Sequence, residues 1–282
     1  MYPASFEYFR PSTIDEAVAL LAQHGDDAKV LAGGHSLIPA MKLRLARPKV
    51  IIDIGRVANL NYIRDADGQI AIGAMTPHGE IEASAWLRER CPLLAETASH
   101  IGDVQVRNRG TIGGSLAHAD PAADWPAAIL ALDAELEIAG PRGRRTVGAG
   151  KFFVDLLETT IRPDEILCEI RVRPTPRSVA YEKTEQKASG FALAGVAVVI
   201  PERDGAVCVA VTGVAAKPYR ATAVERALAG HRILASDIIA AAAAHAADAS
   251  DALGDIHASP EYRAHLAQVN TRRALTRAVA RR

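Results

Sequence analysis

Cysteine is scarce in this sequence, and its few cysteines lie far apart. Cys91, Cys168 and Cys208 include no CxxC pair, so we expect this chain alone to hold neither a zinc ion nor an iron–sulfur cluster. Free thiols are typical of proteins that work in a reducing cytosol. The cysteine pattern therefore favours a cytoplasmic location.

Long apolar runs and an excess of either charge are also absent. The longest apolar run, residues 193–200, is too short to span a bilayer, and residues 1–11 lack the basic and then apolar pattern of a signal peptide. The 33 basic and 33 acidic residues cancel, which gives no support to a nucleic-acid partner. We therefore expect a soluble intracellular protein without a membrane span.

The first 55 residues predict a small α/β unit. A capping box at Thr13 and Glu16 starts a helix, and Gly25 ends it. A short apolar strand, a second helix over residues 38–45 and another apolar strand follow. This order predicts parallel strands joined by a right-handed crossover.

The rest of the chain predicts two further parts, residues 56–175 and residues 177–282, separated by a linker that contains prolines. In the first of them, Asp67–Gly68 marks a β-hairpin, and one helix is predicted over residues 80–90. In the second, two apolar strands are joined through Asp204–Gly205, and Ser236 caps an alanine-rich helix. Apolar residues make up 49% of the chain, enough for a buried core, and the predicted fold class is α+β.

Two adjacent glycines occupy the turn between the first apolar strand and the second helix. In residues 32–36, Ala-Gly-Gly-His-Ser, the glycines let the backbone turn sharply and approach a ligand with no Cβ in the way. Successive N–H groups in such a turn can bind an anion, and Ser36 adds a hydroxyl donor. The segment lacks the lysine of a Walker loop, and GxGxxG is absent. A plain tight turn is the alternative interpretation of this first diglycine segment.

A second diglycine segment, residues 111–115, reads Thr-Ile-Gly-Gly-Ser and repeats the same pattern of hydroxyl, two glycines and hydroxyl. A dinucleotide has two phosphates, and two such turns can hold them from opposite sides.

Further along the chain, Asp124 can accept hydrogen bonds from a polyol such as ribitol, or it can cap the helix predicted after it. His118 and Asp120 have a spacing found in metal sites, but no third ligand is evident.

Residues 32–39, Ala-Gly-Gly-His-Ser-Leu-Ile-Pro, with Lys42 and Arg44 just after them, resemble the first FAD motif of molybdenum hydroxylase flavoproteins. Residues 111–115, with the lead-in 105–110, resemble the second. The likeness is strongest to FAD-binding medium subunits of the aerobic carbon monoxide dehydrogenase type, and xanthine dehydrogenases carry a similar domain. It covers essentially the whole chain. It implies a two-part, PCMH-like FAD-binding domain, a small α/β unit plus a mixed-sheet unit, followed by a C-terminal antiparallel sheet with helices.

The resemblance also implies which residues bind the cofactor. The two diglycine segments and their neighbours would contact the diphosphate, and Asp124 would bind the ribityl chain or the adenosine half. Ile101 would pack near the flavin, Leu167 would lie beside the ring system or the adenine, and Lys183 would lie near the cofactor. Phe191 falls where the carbon monoxide dehydrogenase type has a tyrosine over the flavin. The full set is Leu31, Ala32, Gly33, Gly34, His35, Ser36, Leu37, Ile38, Ile101, Thr111, Ile112, Gly113, Gly114, Ser115, Asp124, Leu167, Lys183 and Phe191.

Each assignment has a plainer alternative. Ile101, Leu167 and Phe191 can be ordinary core residues, Lys183 can be a surface charge, and His35 can cap or pack without touching a cofactor. No side chain is expected to act as an essential acid or base.

The implied function is electron transfer as one subunit of an oxidoreductase. FAD would be held without a covalent bond, and a small subunit with [2Fe–2S] clusters and a large molybdopterin subunit would complete a dimer of heterotrimers. Electrons would leave through FAD to a quinone, NAD or oxygen. Two alternatives stay open at this point: a stand-alone flavin oxidase, and an assembly or adaptor protein without cofactor.

Overall fold

The computed structural model of the chain describes residues 2–202, 205–231 and 233–282. Its first part contains β1 (Glu7–Phe9), α1 (Ile14–His24), a 3-10 turn (Gly25–Asp27), β2 (Ala28–Leu31), α2 (Leu37–Lys42) and β3 (Val50–Asp53). The three strands form a sheet in the order β1–β3–β2, and both outer strands run parallel to β3. This confirms the predicted parallel pairing of β2 and β3, whereas β1 is absent from the sequence-based prediction.

The ends of α1 follow the predicted signals with one difference. The Thr13 hydroxyl accepts a hydrogen bond from the Glu16 N–H at 3.1 Å, but the Glu16 carboxylate accepts from the N–H of Ser12 at 2.8 Å. A regular capping box would use the N–H of Thr13. Gly25 ends the helix at a φ of 52°, as predicted. Helix α2 stops earlier than the predicted residue 45, because Arg44 has a φ of 60°, outside helical geometry.

The second part is built on a five-stranded sheet. Its elements are β4 (Ile63–Ala66), β5 (Gln69–Gly73), α3 (His78–Ala83), α4 (Ala85–Arg90), α5 (Pro92–Ser99), α6 (Val104–Arg109), α7 (Ile112–His118), α8 (Trp125–Ala131), β6 (Glu135–Gly140), β7 (Gly143–Gly148), α9 (Ala149–Phe152), β8 (Phe153–Asp155), β9 (Glu158–Thr159) and β10 (Ile166–Val172). The sheet order is β4–β5–β10–β6–β7, and β8 and β9 form a separate hairpin. The sheet implied as mixed is antiparallel between all its neighbouring strands.

Two predictions for this part have different outcomes. The hairpin at Asp67–Gly68 is confirmed, since both residues have positive φ, 54° and 83°, and Ala66 pairs with Gln69. The single helix over residues 80–90 is wrong. It divides at Ser84, whose backbone is extended and whose hydroxyl caps α4 by accepting from the Leu87 N–H at 3.2 Å. A serine that caps a new helix cannot continue the previous one.

The third part contains β11 (Val179–Glu185), β12 (Ala192–Val199), β13 (Cys208–Thr212), β14 (Tyr219–Arg220), α10 (Thr222–Leu228), α11 (Ser236–Ala243), a 3-10 turn (Ala249–Asp251) and α12 (Pro260–Ala280). The four strands form an antiparallel sheet in chain order, which confirms the predicted pair β12 and β13. Asp204, predicted in their connection, lies outside the described residues. Ser236 does not cap α11, because it is the first helical residue and Ala235 holds the cap position.

The third sheet is buried on both faces, which explains the long apolar run of β12. Tyr181 and Ala197 belong to the apolar core that contains Trp125 of α8, while Val196 and Val198 pack in the core that contains α12. Alternate residues of a strand point to opposite faces. The sheet therefore connects the second part to the C-terminal helices, and the fold class is α+β. No helix within the described ranges combines the length and apolarity that a membrane crossing needs.

Candidate cofactor-binding site

The two diglycine segments lie directly against one another. A Cβ added to Gly33 would overlap the carbonyl oxygen of Arg109 and lie 2.9 Å from the Cα of Gly110. A Cβ on Gly114 would lie 3.4 Å from the Cβ of Ala32. Segments that are far apart in sequence therefore form one structure, and their close approach requires glycine.

The first diglycine segment has free backbone donors. Gly34 has a φ of 80°, and its carbonyl accepts from the Ile38 N–H at 3.0 Å as α2 begins. In the part of the chain that the structure describes, the N–H groups of Gly33, Gly34, His35 and Ser36 donate to no protein acceptor. Consecutive free N–H groups at a turn of this kind bind anions such as a diphosphate. The predicted anion-binding turn therefore has the donors that it needs.

The second diglycine segment has no such free donors over residues 112–115. The Gly113 N–H donates to the Ala74 carbonyl at 2.9 Å, and those of Ile112 and Ser115 donate to carbonyls of Thr76 and Thr111. The Gly114 N–H donates to the Thr111 hydroxyl at 3.2 Å, which caps α7. The interpretation as two equivalent anion-binding turns is therefore wrong. This segment offers hydroxyl groups and close packing.

Both segments border one cavity of about 830 Å³. Among its lining residues are most of the predicted set, namely Ala32, Gly33, Gly34, His35, Ser36, Leu37, Ile101, Thr111, Gly113, Gly114, Ser115, Asp124, Leu167 and Phe191. His118 and Asp120 also line it, and the described residues contain no group of three side chains fit to hold a metal ion.

Four of the predicted residues do not line the cavity. Ile38 and Leu31 pack beneath the turn at Gly34, and Ile112 is fully buried in the core. Lys183 lies behind Asp124, with its side chain only 1% exposed. Ile112 and Lys183 therefore support the cavity wall from behind, whereas Ile38 is an exposed residue.

The burial of five predicted residues shows which of them are core residues and which are surface residues. Leu167 is both a core residue and part of the cavity wall, and Ile101 packs against the same core. Phe191 is 52% exposed, so it is not a core residue. Lys183 is not a surface charge. His35 is exposed and stands on the cavity edge.

Asp124 is the centre of a buried polar cluster behind the cavity. It occupies the cap position of α8 without capping it through its side chain. Its carboxylate instead accepts hydrogen bonds from the Tyr181 hydroxyl at 2.6 Å and from the Lys183 ammonium at 2.9 Å. Lys183 also donates to the carbonyl of His100 at 2.8 Å. The alternative of Asp124 as a side-chain cap is therefore wrong, because its carboxylate accepts from Tyr181 and Lys183 and from no N–H of α8.

Burial dominates the electrostatics of this cluster. Burial raises the pKa of the Asp124 carboxyl to about 6, although Lys183 and the Tyr181 hydroxyl both lower it. Burial, together with the neighbouring Asp124, raises the pKa of Tyr181 well above 10. Burial also lowers the pKa of His100, whose ring packs edge-on against that of Tyr181.

Sequence reasoning missed His78, which also lines the cavity. It is 4% exposed, and its Nδ1 accepts a hydrogen bond from the indole N–H of Trp125 at 3.0 Å. Burial lowers its pKa to about 3. No spacing pattern marks this histidine, because its partner lies far along the chain. The residues of the β8–β9 hairpin that border the cavity, such as Leu157, were missed for the same reason.

The site fits FAD. Four free N–H groups match a diphosphate, the hydroxyls of Thr111 and Ser115 lie next to them, and Ile101, Leu167 and Phe191 supply apolar surface for a ring system. Asp124 supplies carboxylate oxygens for hydroxyl groups.

Two family models match this chain. Residues 4–176 match the FAD binding domain in molybdopterin dehydrogenase, and residues 179–278 match the CO dehydrogenase flavoprotein C-terminal domain.

Individual proteins match over the whole length. The carbon monoxide dehydrogenase medium chain of Hydrogenophaga pseudoflava is 42% identical and covers 100% of this chain and 99% of its own. The caffeine dehydrogenase subunit beta of Pseudomonas sp. is 35% identical, with coverages of 100% and 97%. A solved structure of carbon monoxide dehydrogenase from Hydrogenophaga pseudoflava superposes with a TM-score of 0.94 at 43% identity, covering 100% and 99%. Quinoline 2-oxidoreductase from Pseudomonas putida 86 gives 0.91 at 29% identity, covering 99% of each chain.

Proposed function

Because this chain belongs to the FAD-binding family of molybdopterin dehydrogenases and is an oxidoreductase subunit, we propose that it passes electrons from the [2Fe–2S] clusters of a partner subunit through FAD to an external acceptor. When bound, FAD exchanges electrons singly or in pairs, which suits a link between one-electron clusters and a two-electron acceptor. The residues of this chain bind and orient the cofactor.

One observation carries the binding half of this proposal: the row of free N–H groups in the first diglycine segment. These donors hold the diphosphate, since an oxygen anion replaces the water that would otherwise satisfy them. Thr111 and Ser115 add hydroxyls beside them. The predicted site residues act as binding residues, and none of them takes or gives a proton in the reaction of the primary substrate.

The walls of the cavity place the rest of the cofactor. Ile101, Leu167 and Phe191 pack against its rings and exclude water. Asp124 accepts hydrogen bonds from hydroxyl groups, and Lys183 and Tyr181 hold its carboxylate in place from behind. Any electrostatic effect of Lys183 on the flavin acts through Asp124, because its ammonium faces that carboxylate and not the cavity.

The proposal includes two partners in the cytoplasm. A small subunit carries the iron–sulfur clusters, a large subunit carries the molybdopterin, and the complex is a dimer of heterotrimers. Support comes from the names of the relatives, since a carbon monoxide dehydrogenase medium chain and a nicotine 6-hydroxylase medium subunit imply a smaller and a larger chain beside them.

A glycine substitution tests the electron path. In the complete complex, Gly33→Ala is expected to abolish bound FAD, because the added Cβ overlaps the backbone at Arg109. The matched control is Gly150→Ala, since a Cβ at Gly150 meets no atom within 4 Å. The variant should still oxidise substrate with an artificial acceptor that bypasses FAD, and it should fail with a quinone, NAD or oxygen.

Three other outcomes contradict the proposal in different ways. A flavin-free Gly33→Ala complex that still reduces the natural acceptor at the wild-type rate excludes the electron path through FAD. Flavin that stays on the protein after acid precipitation supports a stand-alone flavin oxidase with a covalent cofactor. Wild-type chain that rejects added FAD supports an assembly or adaptor protein.

A further inference from the structure

The two ring nitrogens of His78 lie in different surroundings. The Nδ1 atom accepts a hydrogen bond from the indole N–H of Trp125, which is itself fully buried. An indole nitrogen can only donate, so this bond requires an unprotonated Nδ1. A neutral imidazole then carries its single proton on Nε2. Trp125 therefore fixes the tautomer of His78 in the folded chain.

The Nε2–H group lies on the opposite side of the ring and faces Gly110. A Cβ built on Gly110 would lie 2.7 Å from Nε2, so the imidazole occupies the space that a side chain would need. His78 and Gly110 both line the cavity. Within the described ranges no protein atom accepts a hydrogen bond from Nε2. Nε2 is not among the described buried side-chain atoms that lack a hydrogen-bond partner, so this donor is accessible from the cavity that His78 lines.

Gly110 also adjoins the first diglycine segment, since a Cβ on Gly33 would lie 2.9 Å from its Cα. Gly110 thus lies between the Nε2–H group of His78 and the Gly33 end of the segment that carries the four free backbone N–H groups. We propose that His78 is a cofactor-contacting residue, which donates a hydrogen bond from Nε2–H to an oxygen of FAD beside the diphosphate donors. This inference rests on FAD binding, which the proposed function also requires.

The protonation state of the His78 ring does not change with pH in the physiological range. Burial is the main reason that the pKa of His78 falls to about 3, and the nearby His35 and Arg107 lower it further. The Trp125 indole, which donates to Nδ1, does not ionise, so it adds no charge beside the ring. His78 therefore stays neutral and keeps its proton on Nε2, unlike an exposed histidine, which gains a charge near pH 6.5.

Nitrogen NMR of the full chain tests the contact directly. Protein labelled with ¹⁵N-histidine and freed of FAD should show His78 as the Nε2–H tautomer between pH 6 and 8. Adding FAD should move the Nε2–H proton downfield, as expected when a donor gains an oxygen acceptor. If FAD binds, as seen by its fluorescence, while the His78 signals stay in place, the proposal is wrong. If FAD does not bind at all, the proposed function fails first.

Two substitutions of similar size separate the hydrogen bond from packing. His78→Gln keeps an N–H near the position of Nε2, whereas His78→Leu fills the space without a donor. The dissociation constant for FAD is expected to rise about 10-fold in His78→Leu and to stay within about 3-fold in His78→Gln. Equal weakening in the two variants, at equal melting temperature, overturns the proposal. If His78→Leu does not fold, the NMR titration of the wild-type protein alone tests whether Nε2–H contacts FAD.

Discussion

Tyr181 donates a hydrogen bond of 2.6 Å to Asp124, from strand β11 of the third sheet to the start of helix α8. Both residues are buried, and the lysine two residues after Tyr181 pairs with the same carboxylate. The cofactor cavity and the C-terminal part of the chain therefore share one polar cluster.

Removal of the hydroxyl in Tyr181→Phe is expected to lower the free energy of unfolding by about 1–3 kcal/mol, because a buried carboxylate loses a donor. The affinity for FAD should fall as well, since Asp124 lines the cavity. The matched control is Tyr219→Phe, which removes a hydroxyl that donates to the Ala246 carbonyl at 3.0 Å. Urea unfolding and FAD titration of both variants check this. Equal loss of FAD affinity in Tyr219→Phe would mean that loss of either tyrosine hydroxyl weakens FAD binding, and that the bond to Asp124 has no specific role in it.

Asp124 should make stability depend on pH. Its pKa rises by burial from 3.8 to about 6, so between these values the folded chain holds a proton that the unfolded chain has released. The contribution of this group is present below about pH 4 and lost as the pH rises through 6. At about 1.4 kcal/mol per pKa unit, the loss approaches about 3 kcal/mol.

The variant Asp124→Asn lacks this titration. Its free energy of unfolding, measured in urea from pH 4 to 7.5, should therefore rise relative to wild type as the pH increases. Asp248 is exposed, so Asp248→Asn is a suitable control without this trend. Parallel curves for wild type and Asp124→Asn would exclude the assignment.

Lys183→Met is expected to cost about 3–5 kcal/mol of stability, because Asp124 is left as a buried charge without its cation. The double variant Asp124→Asn/Lys183→Met should recover much of that loss, since neither charge remains. A double-mutant cycle in urea checks the coupling. Additive losses would show that the two side chains do not act as a pair.

The same lysine variant addresses the tuning of the flavin. Removal of a cation near the cofactor should disfavour negatively charged reduced flavin and lower its midpoint potential. Spectroelectrochemical titration of the flavin in the complex measures this. An unchanged potential would restrict Lys183 to a structural role.

Gly113→Ala should destabilise the fold by about 1–3 kcal/mol, because the added Cβ overlaps Ala74. Gly150→Ala serves again as the control, and it should be neutral or slightly stabilising within α9. Thermal unfolding compares the two. A fully stable Gly113→Ala variant would mean that the backbone at Ala74 can move away.

Sequence patterns identify most residues of the site, but they do not predict which of its N–H groups are free or which protonation state His78 adopts. The glycine pairs and Asp124 stand out because their chemistry is local, and the parallel pairing of β2 and β3 follows from the order of elements. Strand β1 is only three residues long, and its partner strand lies far along the chain. Whether an N–H is free in one diglycine segment and bonded in the other depends on tertiary partners such as Ala74. His78 acquires its state from Trp125 and from burial, which no local pattern encodes.

The third sheet limits what can be built from this chain. Because Tyr181 and Ala197 complete the apolar core around Trp125, a minimal flavin carrier that ends near residue 176 would expose that core and leave Asp124 without either partner. Shortening the protein therefore requires a redesigned surface on α8 and a neutral residue at position 124. Conversely, a tether or a reporter is better attached to strand β14 or to helix α10 or α11. These elements do not border the cavity.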